Sequence, residues 1–551
     1  MTMSATRYIQ VLLPLKLDWD PVYALPEGSE VQIGDKIEVT FAGKKYIGIV
    51  TVVDVIPESG IDIKEAYWHK TPDQVGGDEK ASLPAPTSTS LPAPTSTSLP
   101  ASTSTSLPAP TGNLKLLDFW RQLASYYLCT PGEVYKASFI KEKVKEKPVI
   151  AASLSPSQEA AIAEIKSAFS KVKTVLLEGS DREEIYTSLA MEVLSQGKSV
   201  LHLIPTRKKR MILDLATSGD AHYYMGTRNA IFLPFQNLGL VIVDDEQDTS
   251  YKQDSPAPRF NTREAAIMLA NIHGASVLLG SSTPSIESLY NAERGLFVKV
   301  QLKQSLIKSL TIINISDEVH KNGMSGSFSF KLLDEIRFHI NAGQTILLVC
   351  RKNSESECKE EFKSLFPDTA DDVAVTTTTL ALKTINPEDY GLIVFLDADG
   401  LLGKEDFRSD EHALQLLQQL GAKAPLAIQT RVHKHPVFTA LTNNDNCLTF
   451  LEERRSGTFP PFTRLIDIVI RDKSLKRIDF LSKRLAQIIG PCLGPYTPPF
   501  DGEEGHVRIL RITLPRDKSL KSRKSAIYQA VKSFEKDYKY LGHIVIDVDP
   551  V

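Results

Sequence analysis

The sequence predicts a multidomain α/β protein with a small N-terminal β-barrel, two α/β lobes built on parallel sheets, and a C-terminal α+β domain. Three observations predict it. Residues 5–70 alternate apolar and polar side chains between turns, the chain from residue 154 alternates strand and helix patterns, and the chain from residue 459 mixes both. With 551 residues, 42% of them hydrophobic, the chain has room for roughly three or four domains.

The N-terminal segments RYIQVLLPL, EVQIGDKIEVTFAG and KKYIGIVTVVDVI are strand-like, which indicates an antiparallel barrel or sandwich. Residues 81–111 then repeat LPAPTSTS units, whose Pro and Ser/Thr content favours a disordered insertion. A glycosylated stalk is the alternative interpretation. Residues 113–140 predict two amphipathic helices, and residues 141–147 form a charged linker.

The middle of the chain alternates helix and strand patterns, as a parallel sheet covered by helices requires. A first α/β unit contains the segments SPSQEAAIAEIKSAFS, KTVLLEG, REEIYTSLAMEVLSQG, SVLHLIPT, AIFLPFQNLGLVIVDD, EAAIMLANIHG and ASVLLGSSTPS. A second unit is predicted to begin near Leu332, with LLDEIRFHINAG, QTILLVCRKN, DVAVTTTT and YGLIVFLDADG.

Composition excludes several classes of protein. The net charge of -3 argues against a general nucleic-acid coat, although the basic surplus after Arg454 suits either a phosphate backbone or a solvated face. The five cysteines include no C-x-x-C pair, so a zinc site is not expected. The same cysteine usage predicts that the protein lies in a reducing cytoplasm. No apolar run approaches about 18 residues, so no membrane span is expected, and the N-terminus reads as a strand rather than a signal peptide.

Two segments carry chemistry. LGLVIVDDEQDTSYKQ (238–253) reads as a buried strand that ends in carboxylates, and LLGSSTPS (278–285) as a strand that runs into a Ser/Thr turn. Together they resemble motifs II and III of superfamily 2 helicases, which hold Mg²⁺ and couple nucleotide to movement. The segment where a phosphate-binding loop belongs, LLEGSDREEIYTSL (176–189), contains no Gly-Lys-Thr.

Longer blocks resemble the primosomal protein N′ (PriA) family of replication-restart helicases. They are MGTRNAIFLPFQNLGLVIVDDEQDTSYKQ, LLGSSTPSIESLYNAERG, FLDADGLLGKEDFRSDEHALQLLQQL, ERRSGTFPPFTRL and the terminal VIDVDP, in family order across nearly the whole chain. The resemblance implies an N-terminal DNA-binding domain (1–80 and 112–145), two RecA-like lobes (150–303 and 304–450) and a C-terminal domain (451–551). It also implies binding to forked or branched DNA, and primosome or helicase-loading proteins and single-stranded DNA-binding protein as partners.

The nucleotide site departs from the family at the phosphate loop. Only Gly179 and Ser180 remain of the turn, and Arg182 follows where the family has its lysine. A plain strand–helix turn is the favoured interpretation, because the loop is too short to wrap a phosphate. The alternative is that Arg182 stands in for the lysine.

Further elements of the site are altered as well. Asp244 matches the family's magnesium ligand, but Asp245 replaces the catalytic Glu, Glu246 is retained, and Gln247 replaces a His. Lys423 stands where two arginines of the family would supply an arginine finger, and a lysine lacks their fork geometry. Motif V has become VTTTTLALK (375–383), and the family's zinc-binding insertion and winged helix are missing.

Residues for DNA are assigned by the same resemblance. Pro21 and Val22 occupy the aromatic–acid positions of the family's 3′-end pocket, and Trp19 and Asp20, two residues earlier, are candidates to replace them through base stacking and hydroxyl recognition. A tryptophan that merely caps the barrel is the alternative. The remaining assigned positions are Gly34, Lys44, Lys45, Gly48, Arg228 and Lys252.

These departures lead to one hypothesis and two alternatives. The hypothesis is a replication-restart protein that binds forked DNA without ATP-driven unwinding and needs no cofactor. The first alternative is an active ATP-dependent 3′–5′ DNA helicase, which would use ATP and Mg²⁺ at Asp244. The second is a protein-interaction scaffold that does not bind DNA.

Overall fold

A computed structural model describes residues 7–26, 28–56, 64–65, 114–149, 153–206, 210–303, 306–351, 354–367, 373–377, 385–402, 406–498, 505–538 and 542–550. The Pro/Ser/Thr repeat (81–111) and residues 378–383 of the motif V segment lie outside these ranges. Within them the strands form sheets of five, eight, five and four strands and one two-stranded ribbon, so the multidomain α/β prediction with parallel central sheets is confirmed.

The N-terminal domain is an open five-stranded sheet with two helices against it. Strand order is β3-β4-β1-β2-β5, so the described strands form an open sheet and not a closed barrel. Its helices are held by contacts such as the hydrogen bond from Tyr135 Oη to the Ile47 carbonyl, 3.0 Å long. The elements are β1 (Tyr8–Leu12), β2 (Val22–Ala24), β3 (Lys36–Phe41), β4 (Lys44–Val53), β5 (Lys64–Glu65), α1 (Leu114–Tyr127) and α2 (Pro131–Ala137).

Lobe 1 is built on an eight-stranded sheet of order β13-β7-β12-β11-β8-β10-β9-β6. All neighbours are parallel except β9 and β10, which form an antiparallel hairpin. The elements are β6 (Val144–Glu146), α3 (Pro156–Phe169), β7 (Thr174–Glu178), α4 (Glu183–Ser195), β8 (Ser199–Leu203), β9 (Ile212–Ser218), β10 (Ala221–Gly226), β11 (Leu238–Asp244), α5 (Thr262–His273), β12 (Ser276–Ser281), α6 (Ile286–Glu293) and β13 (Val298–Gln301).

The β9–β10 hairpin was not among the predicted elements. Its turn centres on Gly219, whose φ of 60° lies in the left-handed region that favours glycine. The Ser-Gly-Asp sequence at this turn was the available signal.

Lobe 2 is a five-stranded parallel sheet of order β14-β20-β19-β17-β18. The elements are β14 (Leu310–Asn314), α7 (Ile315–Lys321), β15 (Met324–Ser325), β16 (Phe328–Ser329), α8 (Phe330–Asn341), β17 (Ile346–Cys350), α9 (Glu355–Leu365), β18 (Val373–Thr377), β19 (Leu392–Phe395), α10 (Ser409–Gly421), β20 (Leu426–Thr430), α11 (Pro436–Asn443) and α12 (Leu451–Ser456). The alternating pattern from Leu332 did not include β14, whose partner β20 is distant in sequence. The range 304–450 that the resemblance implied for this lobe does include β14.

The C-terminal domain has the order β-α-β-β-α-β, and its antiparallel sheet runs β22-β23-β21-β24. This is the ferredoxin-like arrangement, and it confirms the predicted α+β class. The elements are β21 (Thr463–Asp472), α13 (Leu475–Ile489), β22 (Leu493–Tyr496), β23 (His506–Pro515), α14 (Leu520–Asp537) and β24 (His543–Val548). None of the helices in the described ranges has the length and hydropathy that crossing a bilayer requires.

One hydrophobic core joins three of these domains. It runs from Phe119 on α1, through Val241 and Leu279 in the sheet of lobe 1, to Ile466 and Ile512 in the C-terminal sheet, all of them buried. Lobe 2 has its own core clusters. The N-terminal helices, lobe 1 and the C-terminal domain therefore pack as one body around the edge of the lobe 1 sheet.

Candidate functional site

The candidate site lies at the carboxyl edge of the lobe 1 sheet. Strands β7, β12 and β11 are adjacent and parallel, so the segments that follow them meet at one edge. These segments are the turn from Gly179, the Ser/Thr turn from Ser281, and the acidic cluster from Asp244. The sequence motifs are thus brought together where a nucleotide would bind in an α/β sheet.

The Arg182 side chain occupies this edge of the sheet. Its Nη2 lies 2.7 Å from Asp244 Oδ1 and 2.9 Å from Asp245 Oδ1, and its Nη1 donates to the Gly179 carbonyl. Its Nε donates to Tyr186 Oη at 2.9 Å, and that hydroxyl donates to Asp244 Oδ1 at 2.8 Å. The Arg182 side chain is only 10% exposed. The guanidinium is therefore turned toward the protein's own carboxylates and does not extend toward solvent as a phosphate-binding lysine would.

The loop between β7 and α4 explains why Arg182 turns inward. It has only four residues, and it turns sharply at Gly179 (φ 134°) and Asp181 (φ 56°). Glu183 and Glu184 follow in the first turn of α4, where they suit the positive helix end but repel an anion. The structure therefore has no room at this turn for a loop that wraps phosphate oxygens.

Two residues of this cluster were missed by sequence reasoning. Tyr186 lies one helical turn after Arg182 on α4, a spacing that would have predicted contact between them. Gln158, on α3, donates to the Asp181 carbonyl at 2.9 Å and to Glu184 Oε2 at 3.1 Å, and so ties the turn to the neighbouring helix. No local pattern indicated this second contact.

The charges in the cluster reinforce one another. Burial acts to raise the pKa of Asp244, but Arg182 and His202 outweigh it and lower that pKa. Burial acts to lower the pKa of Arg182, yet Tyr186, Asp244 and Asp245 raise it. The site is therefore a pre-formed ion cluster in which the Arg182 guanidinium binds the carboxylates of Asp244 and Asp245.

The rest of the acidic segment contacts the Ser/Thr turn. Glu246 is buried and accepts bonds from Arg263 Nη1 at 2.6 Å and from the Ser285 amide at 2.7 Å. Gln247 Oε1 accepts from Ser281 Oγ at 2.6 Å. Motif II and motif III are therefore physically connected, as their resemblance implied.

Stability is expected to fall as pH drops from about 6.5 to 4, since burial lowers the pKa of His202 to about 4. The unfolded chain, with an ordinary histidine pKa, binds the proton first, and His202 alone contributes a loss of about 2–3 kcal/mol at pH 4.5. Urea denaturation at pH 7 and 4.5 measures this. His202→Phe is expected to reduce the pH slope in that window without abolishing it, because burial also lowers the pKa of His273, His412 and His543. An unchanged slope in the variant would contradict the assignment.

The N-terminal candidates for DNA binding lie on one part of the sheet. The Trp19 side chain is 57% exposed, and its ring meets Phe41 edge-on with centroids 6.2 Å apart. Phe41 is the cross-strand partner of Lys44, which is exposed, as is Lys45. The structure therefore places an exposed aromatic ring and two lysines around one hairpin.

Asp20, Gly34 and Gly48 lie further inside the N-terminal domain than Trp19, Lys44 and Lys45. Asp20 Oδ2 accepts from Thr51 Oγ1 at 2.8 Å, and burial raises the pKa of its carboxyl. A Cβ on Gly48 would lie 2.2 Å from Val11 Cγ1, and Gly34 (φ 95°) donates its amide to the Val50 carbonyl. The glycines thus shape the sheet, while Asp20 is a half-buried acceptor next to Trp19.

Arg228 and Lys252 are placed differently from the DNA-binding prediction. Lys252 is 4% exposed, and its Nζ donates to Asp547 Oδ1 at 2.7 Å and to the Val548 carbonyl at 2.7 Å. Arg228 Nη1 donates to the carbonyls of Ser250 and Lys252. Both cations bind protein oxygens, Lys252 at the VIDVDP segment and Arg228 at the loop after motif II, and Lys252 is too buried to face a phosphate backbone.

No family model matches the chain. Curated relatives named replication restart protein PriA do match it. The protein of Rickettsia felis is 24% identical over 99% of both chains, that of Rickettsia conorii 23% over 99% of both, and that of Haemophilus influenzae 25% over 68% of both. These matches support a divergent member of the PriA family.

Solved structures that resemble this PriA-family chain are helicases. The Escherichia coli DEAH/RHA helicase HrpB is 13% identical, with 62% of this chain and 51% of that chain covered at a TM-score of 0.33. The DUF1998 helicase MrfA is 12% identical, with 53% and 51% covered at a TM-score of 0.31. Both likenesses are distant, so the family assignment rests on the sequence relatives.

Proposed function

We propose that this protein acts in replication restart by binding forked or branched DNA, and that it does so without ATP-driven unwinding. The observation that carries the second half is the Arg182 cluster. The first half is supported by membership in the PriA family and by the exposed Trp19 surface. Helicase-loading proteins and single-stranded DNA-binding protein are the partners that this function would require.

A nucleotide would have to dismantle the Arg182 cluster before it could bind. Magnesium would bind the Asp244 carboxylate, whose Oδ1 already accepts bonds from Arg182 and Tyr186. Displacing the guanidinium would leave a nearly buried cation and two nearly buried carboxylates to be re-solvated or re-paired, at a cost of several kcal/mol. The lost phosphate loop offers no backbone amides that would recover this cost.

The surface around Trp19 suits the end of a single DNA strand. An exposed indole can stack on a terminal base, with the neighbouring Lys44 and Lys45 close to the backbone phosphates. The Asp20 carboxylate next to it can accept a hydrogen bond from a terminal hydroxyl. These roles require no movement of the two lobes.

Fluorescence anisotropy with a fork that carries a 3′-hydroxyl end tests the DNA half of the proposal. Salt-dependent binding is expected, and Trp19→Ala is expected to weaken it by about tenfold, the typical value of one base stack. Phe338→Ala is the matched control, because Phe338 is a similarly exposed aromatic, 70% exposed, on lobe 2. No binding would leave only the scaffold alternative, and equal losses in both variants would remove Trp19 from the DNA site.

The same preparation tests the nucleotide half. ATP with Mg²⁺ is expected to leave the thermal unfolding temperature unchanged, since Arg182 occupies the candidate site at the carboxyl edge of the lobe 1 sheet. Phosphate release that is stimulated by forked DNA and abolished in Asp244→Ala would overturn the proposal and establish the helicase alternative.

A further inference from the structure

The Ser/Thr turn of lobe 1 and the helix after it are embedded in lobe 2. Ile286, the first residue of α6, is fully buried and belongs to the same core cluster as Leu414 and Phe438 of lobe 2. Removing such a side chain from water favours the contact between the lobes. The contact between the lobes therefore includes hydrophobic core and is not limited to surface side chains.

Hydrogen bonds connect side chains on α10 of lobe 2 to this turn. Gln415 Nε2 donates to the carbonyls of Thr283 and Pro284 at 3.1 and 3.3 Å, and Gln419 Nε2 donates to Thr283 Oγ1 at 2.8 Å. In return, the Ile286 amide donates to Glu411 Oε1 at 2.9 Å. The first free amide of α6 is thus capped by a carboxylate of the opposite lobe.

Buried ion pairs surround these hydrogen bonds. Arg408 Nη2 lies 2.8 Å from Glu287 Oε1 across the lobes, and Arg454 Nη2 lies 2.7 Å from Glu411 Oε2. Arg454 and Glu411 are each 2% exposed. Burial acts to raise the pKa of Glu287, but Arg408 and Arg263 hold it well below its ordinary range. Removing one partner of such a network leaves a buried charge uncompensated.

We infer that these contacts form a latch that keeps the two lobes closed in the absence of nucleotide. The interlobe latch consists of residues 283–287 of lobe 1 and Arg408, Glu411, Gln415 and Gln419 of lobe 2. In a motor protein with two such lobes, a bound nucleotide holds the lobes closed. Here, contacts between side chains of the two lobes hold them closed. The protein thereby presents both lobes at one fixed angle. This inference goes beyond the proposed function and does not depend on DNA binding.

Hydrogen–deuterium exchange of the full chain, with fragmentation that resolves single amides, tests the latch. The Ile286 amide reports closure directly, because its acceptor lies on the other lobe. Its protection is expected to come within about tenfold of that of Val243 in β11, a strand inside the lobe 1 sheet, and to be unchanged by ATP with Mg²⁺. Exchange of Ile286 near the unprotected rate, with Val243 still protected, would overturn the inference.

Three substitutions on α10 separate the latch from general stability. Gln415→Ala and Gln419→Ala each remove bonds to lobe 1 and are expected to speed exchange of Ile286 by about tenfold or less, as net hydrogen-bond energies predict. Gln418→Ala is the control, because Gln418 donates to the Asp445 carbonyl within lobe 2. Gln419 is only partly buried, so its variant remains informative if Gln415→Ala fails to fold. Equal exchange in all three variants would overturn the latch. A chain that binds no fork but keeps Ile286 protected would overturn the proposed function and leave the latch standing.

Discussion

Arg182→Ala is expected to lower the free energy of unfolding by about 3–5 kcal/mol, the usual cost of removing one partner from a buried ion pair. Asp244 and Asp245 would face each other at the strand end with no cation between them, and the Tyr186 hydroxyl would lose one of its partners. Urea denaturation at pH 7 measures the loss.

Lys166→Ala is the matched control for this experiment. Lys166 and its partner Glu192 also join two helices of lobe 1, but their side chains are 47% and 43% exposed. Loss of such a surface pair is expected to cost less than about 1 kcal/mol. A similarly small loss of unfolding free energy for Arg182→Ala would mean that water can take the place of the guanidinium at little cost. The cluster would then not prevent a nucleotide from binding.

The double variant Arg182→Met with Asp244→Asn sharpens the same test. If the two side chains stabilise each other, the double variant is expected to lose less unfolding free energy than Arg182→Met and Asp244→Asn lose in sum, by about 1–3 kcal/mol. Strict additivity would show that they act independently.

Lys252→Ala is expected to destabilise the protein by about 3 kcal/mol, since it leaves Asp547 without its closest cation in the junction between lobe 1 and the C-terminal sheet. Burial already raises the pKa of Asp547, with Lys252 opposing that shift. The same variant is expected to leave the salt dependence of fork binding unchanged. Thermal and urea unfolding report the first effect, and anisotropy at several salt concentrations reports the second.

Lys44→Ala provides the opposite pattern. An exposed lysine that contacts phosphate is expected to reduce the slope of log affinity against log salt by about one, with little effect on unfolding. If Lys252→Ala reduced that slope while leaving stability intact, Lys252 would be a DNA contact and not a buried anchor.

Much of the fold was predictable because its signals are local. The strand pattern before Asp244, the capped helix from Pro156 and the alternation after Tyr8 are all short-range features, and the corresponding elements were confirmed. The alternating pattern from Leu332 missed β14, because β14 is defined by its pairing with β20, far away in the chain. The β9–β10 hairpin was not predicted, although the Ser-Gly-Asp sequence marks its turn.

Membership in the PriA family and the loss of the phosphate-binding lysine were both visible in the sequence, because each depends only on which residues stand in which order. What Arg182 does instead, and that Lys252 is a buried anchor, was decided by the tertiary structure. A side chain's partner depends on which strands lie side by side, and here β7, β12 and β11 bring Arg182 to Asp244 from 62 residues away. The residue order shows which site was altered. Only the tertiary structure shows that Arg182 occupies the altered site and that the two lobes contact each other beside it.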